Sequence, residues 1–157
     1  MISLARKVVE ILIRKKLTIS FAESCTGGMI SGAITSVSGS SRVFGLGLVV
    51  YSNKSKINLL KVPKNIIQKY GAVSEKVSLI MTRNISKFSK SNISLSVTGI
   101  AGPGGGTKKK PVGLVYLGIK KGNKIKIKKY LFRNRGRVYI RKKTVNKSLE
   151  LILRALK

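Results

Sequence analysis

The chain has 157 residues, the length of one domain, and sets 33 Lys+Arg against 4 Asp+Glu for a formal net charge of +29. It has no His and no Asp; its acids are Glu10, Glu23, Glu75 and Glu150, and Cys25 is its single cysteine. That excludes a Ser-His-Asp triad, a Cys-His pair, a zinc site of the usual type and an intramolecular disulfide, and leaves catalysis to Ser, Thr, Tyr, Lys, Cys25, a lone Glu or backbone amides.

Hydrophobic residues make up 43%, enough for a core at this size. No apolar run approaches the roughly 20 residues of a membrane helix. The opening MISLARKVVEILIRKK alternates charged and apolar side chains, unlike a secretory signal, so a cytoplasmic protein is expected.

Residues 2–16 read as a helix, with Ile2, Ala5, Val9 and Leu12 near helical spacing. Residues 17–22 (LTISFA) read as a short buried strand, followed by ESCTGG and a small-residue helix, GMISGAITSV, that SGSS at 38–41 ends. Residues 46–51 (LGLVVY) are a second strand. Residues 53–60 form a helix capped by Asn53 or Ser52, and Pro63 suits the first turn of another ending near Gly71. A Ser cap at Ser74 opens a long helix to Lys90 with Val77, Ile80, Met81, Ile85 and Phe88 as its apolar side. Residues 93–97 (ISLSV) are a strand, then a glycine-rich stretch, then a strand over 112–119. A turn at Gly122 and Asn123 leads into an alternating strand over 124–132, and a helix over about 138–156 closes the chain. No repeat or linker divides it. This order predicts a single α/β domain, a layered sandwich with a mixed sheet: parallel strands early, a hairpin late.

Three loops after predicted strands could carry chemistry. In the first, Glu23-Ser24-Cys25-Thr26-Gly27-Gly28, a nucleophile would be lifted out of the sheet beside free amides at a helix start, which suit an anion or developing oxyanion. The plainer reading is a capped strand-to-helix turn. Cys25 has no His to activate it and reads as buried and inert. In the second, Tyr51-Ser52-Asn53-Lys54-Ser55-Lys56, Tyr51 and Lys56 could approach Ser24, because neighbouring parallel strands end at one crevice. The residues alone do not choose between Lys54 and Lys56. In the third, Thr98 and five glycines (Gly99, Gly102, Gly104, Gly105 and Gly106) let a backbone approach a ligand closely. It is not a Walker A loop, because Thr107 precedes Lys108.

The charge invites a nucleic-acid reading, and residues 108–143 hold 15 basic residues and no acid. Composition offers a simpler account. Lys (24) far exceeds Arg (9), and Lys, Ile and Asn, all with A/T-rich codons, supply 50 of the 157 residues. Nonspecific nucleic-acid binding at low salt is expected in either case.

Four ordered segments closely resemble the CinA family, specifically its C-terminal nicotinamide-nucleotide amidohydrolase domain, which also occurs as a stand-alone protein. They are FAESCTGGMISGAITSVSGSSRVF, VVYSNKSKINLLKVP, YGAVSEKV and SVTGIAGPGGGTKKKPVGLVY, covering most of residues 19–117. The resemblance implies a three-layer α/β/α-type fold and a homo-oligomer, a dimer. It also implies deamidation of nicotinamide mononucleotide, a pyridine nucleotide, to nicotinate mononucleotide and ammonia.

It further selects Ser24 as nucleophile, Lys56 as general base and Tyr51 as a helper that hydrogen-bonds or relays the proton. Ser-Lys pairs are hydrolytic variants that need no His, and no metal or cofactor is expected. Amides of Thr26, Gly27 and Gly28 would stabilise the oxyanion. Thr98, Gly99, Gly102, Gly104 and Gly105 are candidates for holding the phosphate, with Arg137 and Arg141. The tail departs from the family pattern: the acidic residue before the first arginine is missing, while Arg137 and Arg141 keep the four-residue separation. Glu23, beside the nucleophile, is expected either to pair with a lysine or to act in catalysis. A catalytically weakened homologue and a basic nucleic-acid-binding module are the alternative readings.

Overall fold

The computed structural model describes residues 1–157. One five-stranded mixed sheet runs through it in the order β2-β1-β3-β4-β5, with β1 at Ile19–Glu23, β2 at Phe44–Val49, β3 at Ile93–Gly99, β4 at Leu114–Lys121 and β5 at Lys124–Leu131. β1 pairs in parallel with β2 and with β3; β4 is antiparallel to β3 and to β5. The early parallel strands and late hairpin are as the sequence predicts.

Helices cover both faces. α1 (Ile2–Lys15), α2 (Met29–Thr35) and α6 (Arg137–Leu156) bury apolar stripes with Phe21, Leu95 and Leu117 in the larger core. α3 (Asn53–Leu60), α4 (Lys64–Tyr70) and α5 (Glu75–Ser89) close a smaller core around Ala22, Val50, Leu60 and Met81 on the other face. The expected three-layer arrangement is what forms.

The two faces of the central strands differ. Alternate side chains of a strand point to opposite faces. On the α6 side β3 presents Ile93, Leu95 and Val97; on the α5 side it presents Ser94, Ser96 and Thr98. The buried hydroxyls pair with one another: Ser20 Oγ with Ser94 Oγ (2.9 Å), and Thr82 Oγ1 with Ser96 Oγ (2.7 Å). Small residues bring α5 close to the sheet. A Cβ on Gly118 would stand 1.9 Å from Thr82 Oγ1.

Several boundaries move. β2 begins at Phe44 and β4 spans Leu114–Lys121, displaced from the expected 112–119. Pro63 is the N-cap of α4 rather than a residue of its first turn. Phe88 is 66% exposed rather than part of the apolar side of α5, because at that end of the helix Ser89 is the residue that meets the sheet, donating to Ser20 Oγ. No helix is long and apolar enough to cross a membrane.

Candidate active site

Parallel pairing of β2, β1 and β3 brings their carboxyl ends to one edge of the sheet, and the three loops flagged in the sequence follow from those ends. A cleft of about 210 Å³ opens there. Ser24, Tyr51, Lys56, Thr98, Gly99 and Arg137 line it, together with Cys25, Asn53, Ala72, Val73 and Ala101.

Ser24 is the residue after β1, and its N–H extends the sheet by donating to Val97 O (3.1 Å). The residue is 7% exposed. Lys56 reaches it from α3, a helix opened by a capping box in which Ser52 and Ser55 serve each other's backbone. The inward stripe of α3 carries Lys56 and Leu60, both buried, so this lysine occupies a position where an apolar residue would be expected. Its Nζ donates to Ser24 Oγ (3.0 Å), Val50 O (2.9 Å) and Tyr51 O (3.3 Å). Lys54 is exposed.

No carboxylate touches Lys56. Burial therefore lowers its pKa below the ordinary lysine value of 10.5, opposed only by the field of a Cys25 thiolate. That thiolate does not form near neutral pH: burial pushes the Cys25 thiol up to about 12, which fits an inert cysteine.

Glu23 has no lysine partner, and its carboxylate is committed to the turn. Its buried carboxylate accepts from the N–H groups of Gly28 (3.1 Å), Ile30 (3.1 Å) and Ser31 (2.8 Å) and from Ser31 Oγ (2.7 Å). These are orphan donors at the start of α2, where an anion is favoured. Glu23 thus fixes the nucleophile turn to the helix after it, with no lysine partner.

The amide assignment changes with it. Gly28 N–H is spent on Glu23, and Gly27 N–H donates to Ser24 O (3.0 Å). The N–H groups of Cys25 and Thr26 donate to no other residue, and Cys25 lines the cleft. Thr26, Gly27 and Gly28 are not among the residues that line the cleft, and of the three only Thr26 has an N–H left unspent. Gly27 is needed for another reason: it has φ +58°, and a Cβ would lie 3.2 Å from Arg141 Nη2.

Arg141 stands outside the cleft and grips the turn from behind, donating through Nε to Cys25 O (3.1 Å) and through Nη2 to Thr26 O (2.8 Å). Because a trans peptide is planar, a carbonyl held on one side sends the next N–H to the other. Arg137 lies within the cleft, donating to Gly102 O (3.0 Å) and Tyr51 Oη (2.6 Å). The Tyr51 phenol is therefore bonded to Arg137, not to Ser24 or Lys56; what Tyr51 gives the lysine is its main-chain carbonyl.

The glycine-rich loop is only partly in the site. Gly99 is in the cleft and Gly102 supports Arg137, whereas Gly104 and Gly105 are exposed and away from it. The Thr98 hydroxyl donates to Ala72 O (2.9 Å). Lys110, which no local motif singles out, donates to the carbonyls of Tyr70 and Val73 (2.8 Å to the latter), tying this loop to the cleft wall formed by Ala72 and Val73. Asn53 also lines the cleft; Ser52 is the cap of α3, and nothing in the local pattern marks Asn53, its first residue, as facing a cleft.

Comparison with known proteins agrees with this architecture. The family signature of the CinA C-terminal domain matches residues 1–156. A competence-damage inducible protein of Clostridium botulinum strain Langeland is 46% identical over 155 residues, 99% of this chain and 38% of that protein. Its counterpart in Thermoanaerobacter pseudethanolicus is 47% identical over 95% of this chain and 36% of its own length. The chain thus spans a little over a third of the curated relatives it matches. Among solved structures, the competence/damage inducible protein CihA from Agrobacterium tumefaciens superposes with a TM-score of 0.95 at 42% identity, over 99% of this chain and 94% of that one. A CinA superfamily protein from Escherichia coli gives 0.93 at 27% identity, over 98% and 89%. The chain belongs to the CinA family, and its residues 1–156 match the family's C-terminal domain.

Proposed function

We propose that this chain is an amidohydrolase that converts nicotinamide mononucleotide to nicotinate mononucleotide and ammonia, with Ser24 as nucleophile and Lys56 as its base. The observation that carries the reading is the buried contact of 3.0 Å between Lys56 Nζ and Ser24 Oγ, without any carboxylate partner for the lysine. A neutral amine has two N–H bonds and one lone pair. With the carbonyls of Val50 and Tyr51 accepting the two N–H bonds, the lone pair is left for the Ser24 hydroxyl proton.

Ser24 Oγ attacks the carboxamide carbon as its proton passes to Lys56. The carbonyl oxygen becomes an oxyanion, received by the unspent N–H groups of Cys25 and Thr26. Lys56 returns the proton to the amide nitrogen, the C–N bond breaks and ammonia leaves an ester on Ser24. Water then attacks the ester, giving its proton to Lys56, and Ser24 departs with that proton, releasing the acid. Arg137 supplies positive charge within the cleft for the substrate phosphate. A homodimer is the assembly proposed on the family resemblance, and light scattering measures it.

The test is ammonia release from nicotinamide mononucleotide. Ser24→Ala and Lys56→Ala are each expected to lower kcat by about 10³-fold or more while the fold persists. Retained turnover in either variant overturns the pair, and a wild-type chain that folds and releases no ammonia overturns the substrate.

A further inference from the structure

A second cavity lies away from the Ser24 cleft, shares no residue with it and has about twice its volume, about 440 Å³. Register explains why it exists. On the α6 side β4 shows Val115, Leu117, Ile119 and Lys121; their partners on β5, facing the same way, are Tyr130, Lys128, Lys126 and Lys124. α6 packs on β4 and leaves the β5 lysines uncovered. The groove between them has a floor of Ile119, Leu151 and Ala155.

Its walls are cationic. Lys121 is committed to Ala155 O (2.6 Å) near the end of α6. Lys124, Lys126, Lys128 and Arg154 line the groove and have no hydrogen-bond or ion-pair partner in the protein. No acid lines it, and the one glutamate on α6, Glu150, is paired with Lys147 (2.7 Å). A lysine-rich composition scatters charge over a convex surface, where water screens it. Here four unpaired cations converge on a concave, partly apolar space of the size that small ligands occupy.

We propose that this groove binds an oligophosphate, a short chain of linked phosphates, either free or as part of a nucleotide. Ammonium groups on flexible stems suit such a polyanion, and binding relieves the mutual repulsion of the four cations. The apolar floor offers a place for a base if the phosphates are those of a nucleotide.

Titration calorimetry of the full chain at about 0.15 M salt tests this with tripolyphosphate, ATP, orthophosphate and a single-stranded oligonucleotide as probes. One tripolyphosphate or ATP is expected per chain. Lys126→Gln with Lys128→Gln, and separately Arg154→Gln, should each weaken it about tenfold, while Lys76→Gln with Lys87→Gln, exposed on α5, leaves it unchanged. Tighter binding of ATP than of tripolyphosphate identifies a nucleotide site; equal affinity identifies a site for the phosphate chain; both support the proposal. It is overturned by no binding at that salt, by equal losses in the α5 control, by orthophosphate binding as well as tripolyphosphate, or by the oligonucleotide binding the groove more tightly than either.

Discussion

Lys56 Nζ and Ser24 Oγ lie 3.0 Å apart in a buried pocket whose other hydrogen-bonding partners for the lysine are two backbone carbonyls. The pair comes from segments 32 residues apart, and it meets because β1 and β2 run parallel and end together. A charged ammonium there has no counter-ion, so the neutral form is the one the site favours.

That preference sets a pH dependence of both rate and stability. Ammonia release should rise with pH along a single ionisation lying below 10.5, as Lys56 loses its proton. The folded pKa lies beneath the unfolded value, so between the two the unfolded chain holds more protons and stability increases with pH; below the folded pKa the full burial penalty remains. Lys56→Met should abolish the rate, remove that slope and raise stability at pH 7. Urea denaturation from pH 6 to about 10.5 in a Cys25→Ala background measures this, covering the interval beneath the ordinary lysine value in which the slope must lie and removing the thiol that would ionise there. A slope unchanged in Lys56→Met would contradict the assignment.

Glu23→Gln places an NH2 group against amides and a hydroxyl that all donate to the carboxylate now. We expect a loss of about 1–3 kcal/mol in stability, read by chemical denaturation. Activity should fall as well, since the same residue anchors the Ser24 turn.

Arg141→Met releases Cys25 O and Thr26 O without entering the cleft. The expected signature is a kcat lowered by about 10²-fold with KM little changed, because the Thr26 amide, held by the bond to Cys25 O, loses its aim at the oxyanion. Arg137→Met should do the opposite and raise KM most, since that side chain is within the cleft. Steady-state kinetics on the two variants distinguish the roles.

Gly118→Ala tests the close approach of α5. The new methyl would meet Thr82 Oγ1, Ile127 Cδ1 and Ser96 Oγ at 1.9, 2.9 and 3.0 Å. A destabilisation of about 1–3 kcal/mol is expected from overpacking, measured as a lowered Tm. An unchanged Tm would mean that α5 moves away freely.

Much of the molecule follows from local pattern. Helical spacing in α1, the Ser74 cap of α5 and the Gly122 turn before β5 act over a few residues, so the sequence by itself determined the elements, their order and the mixed sheet. The absence of His leaves a lysine as the available base on sequence grounds alone. Which lysine was not legible from the spacing of residues: Lys54 and Lys56 share one short segment, and only packing of α3 on the sheet turns Lys56 inward and leaves Lys54 in solvent. Nor does the sequence show that the folded turn spends the Glu23 carboxylate and the Gly27 and Gly28 amides on its own hydrogen bonds. The sequence suggests a Tyr51 phenol beside the lysine, whereas Arg137, 86 residues later, holds that phenol. Tertiary structure decided these points because each depends on which donor meets which acceptor across distant segments, and a buried polar group takes the partner that the fold places within reach.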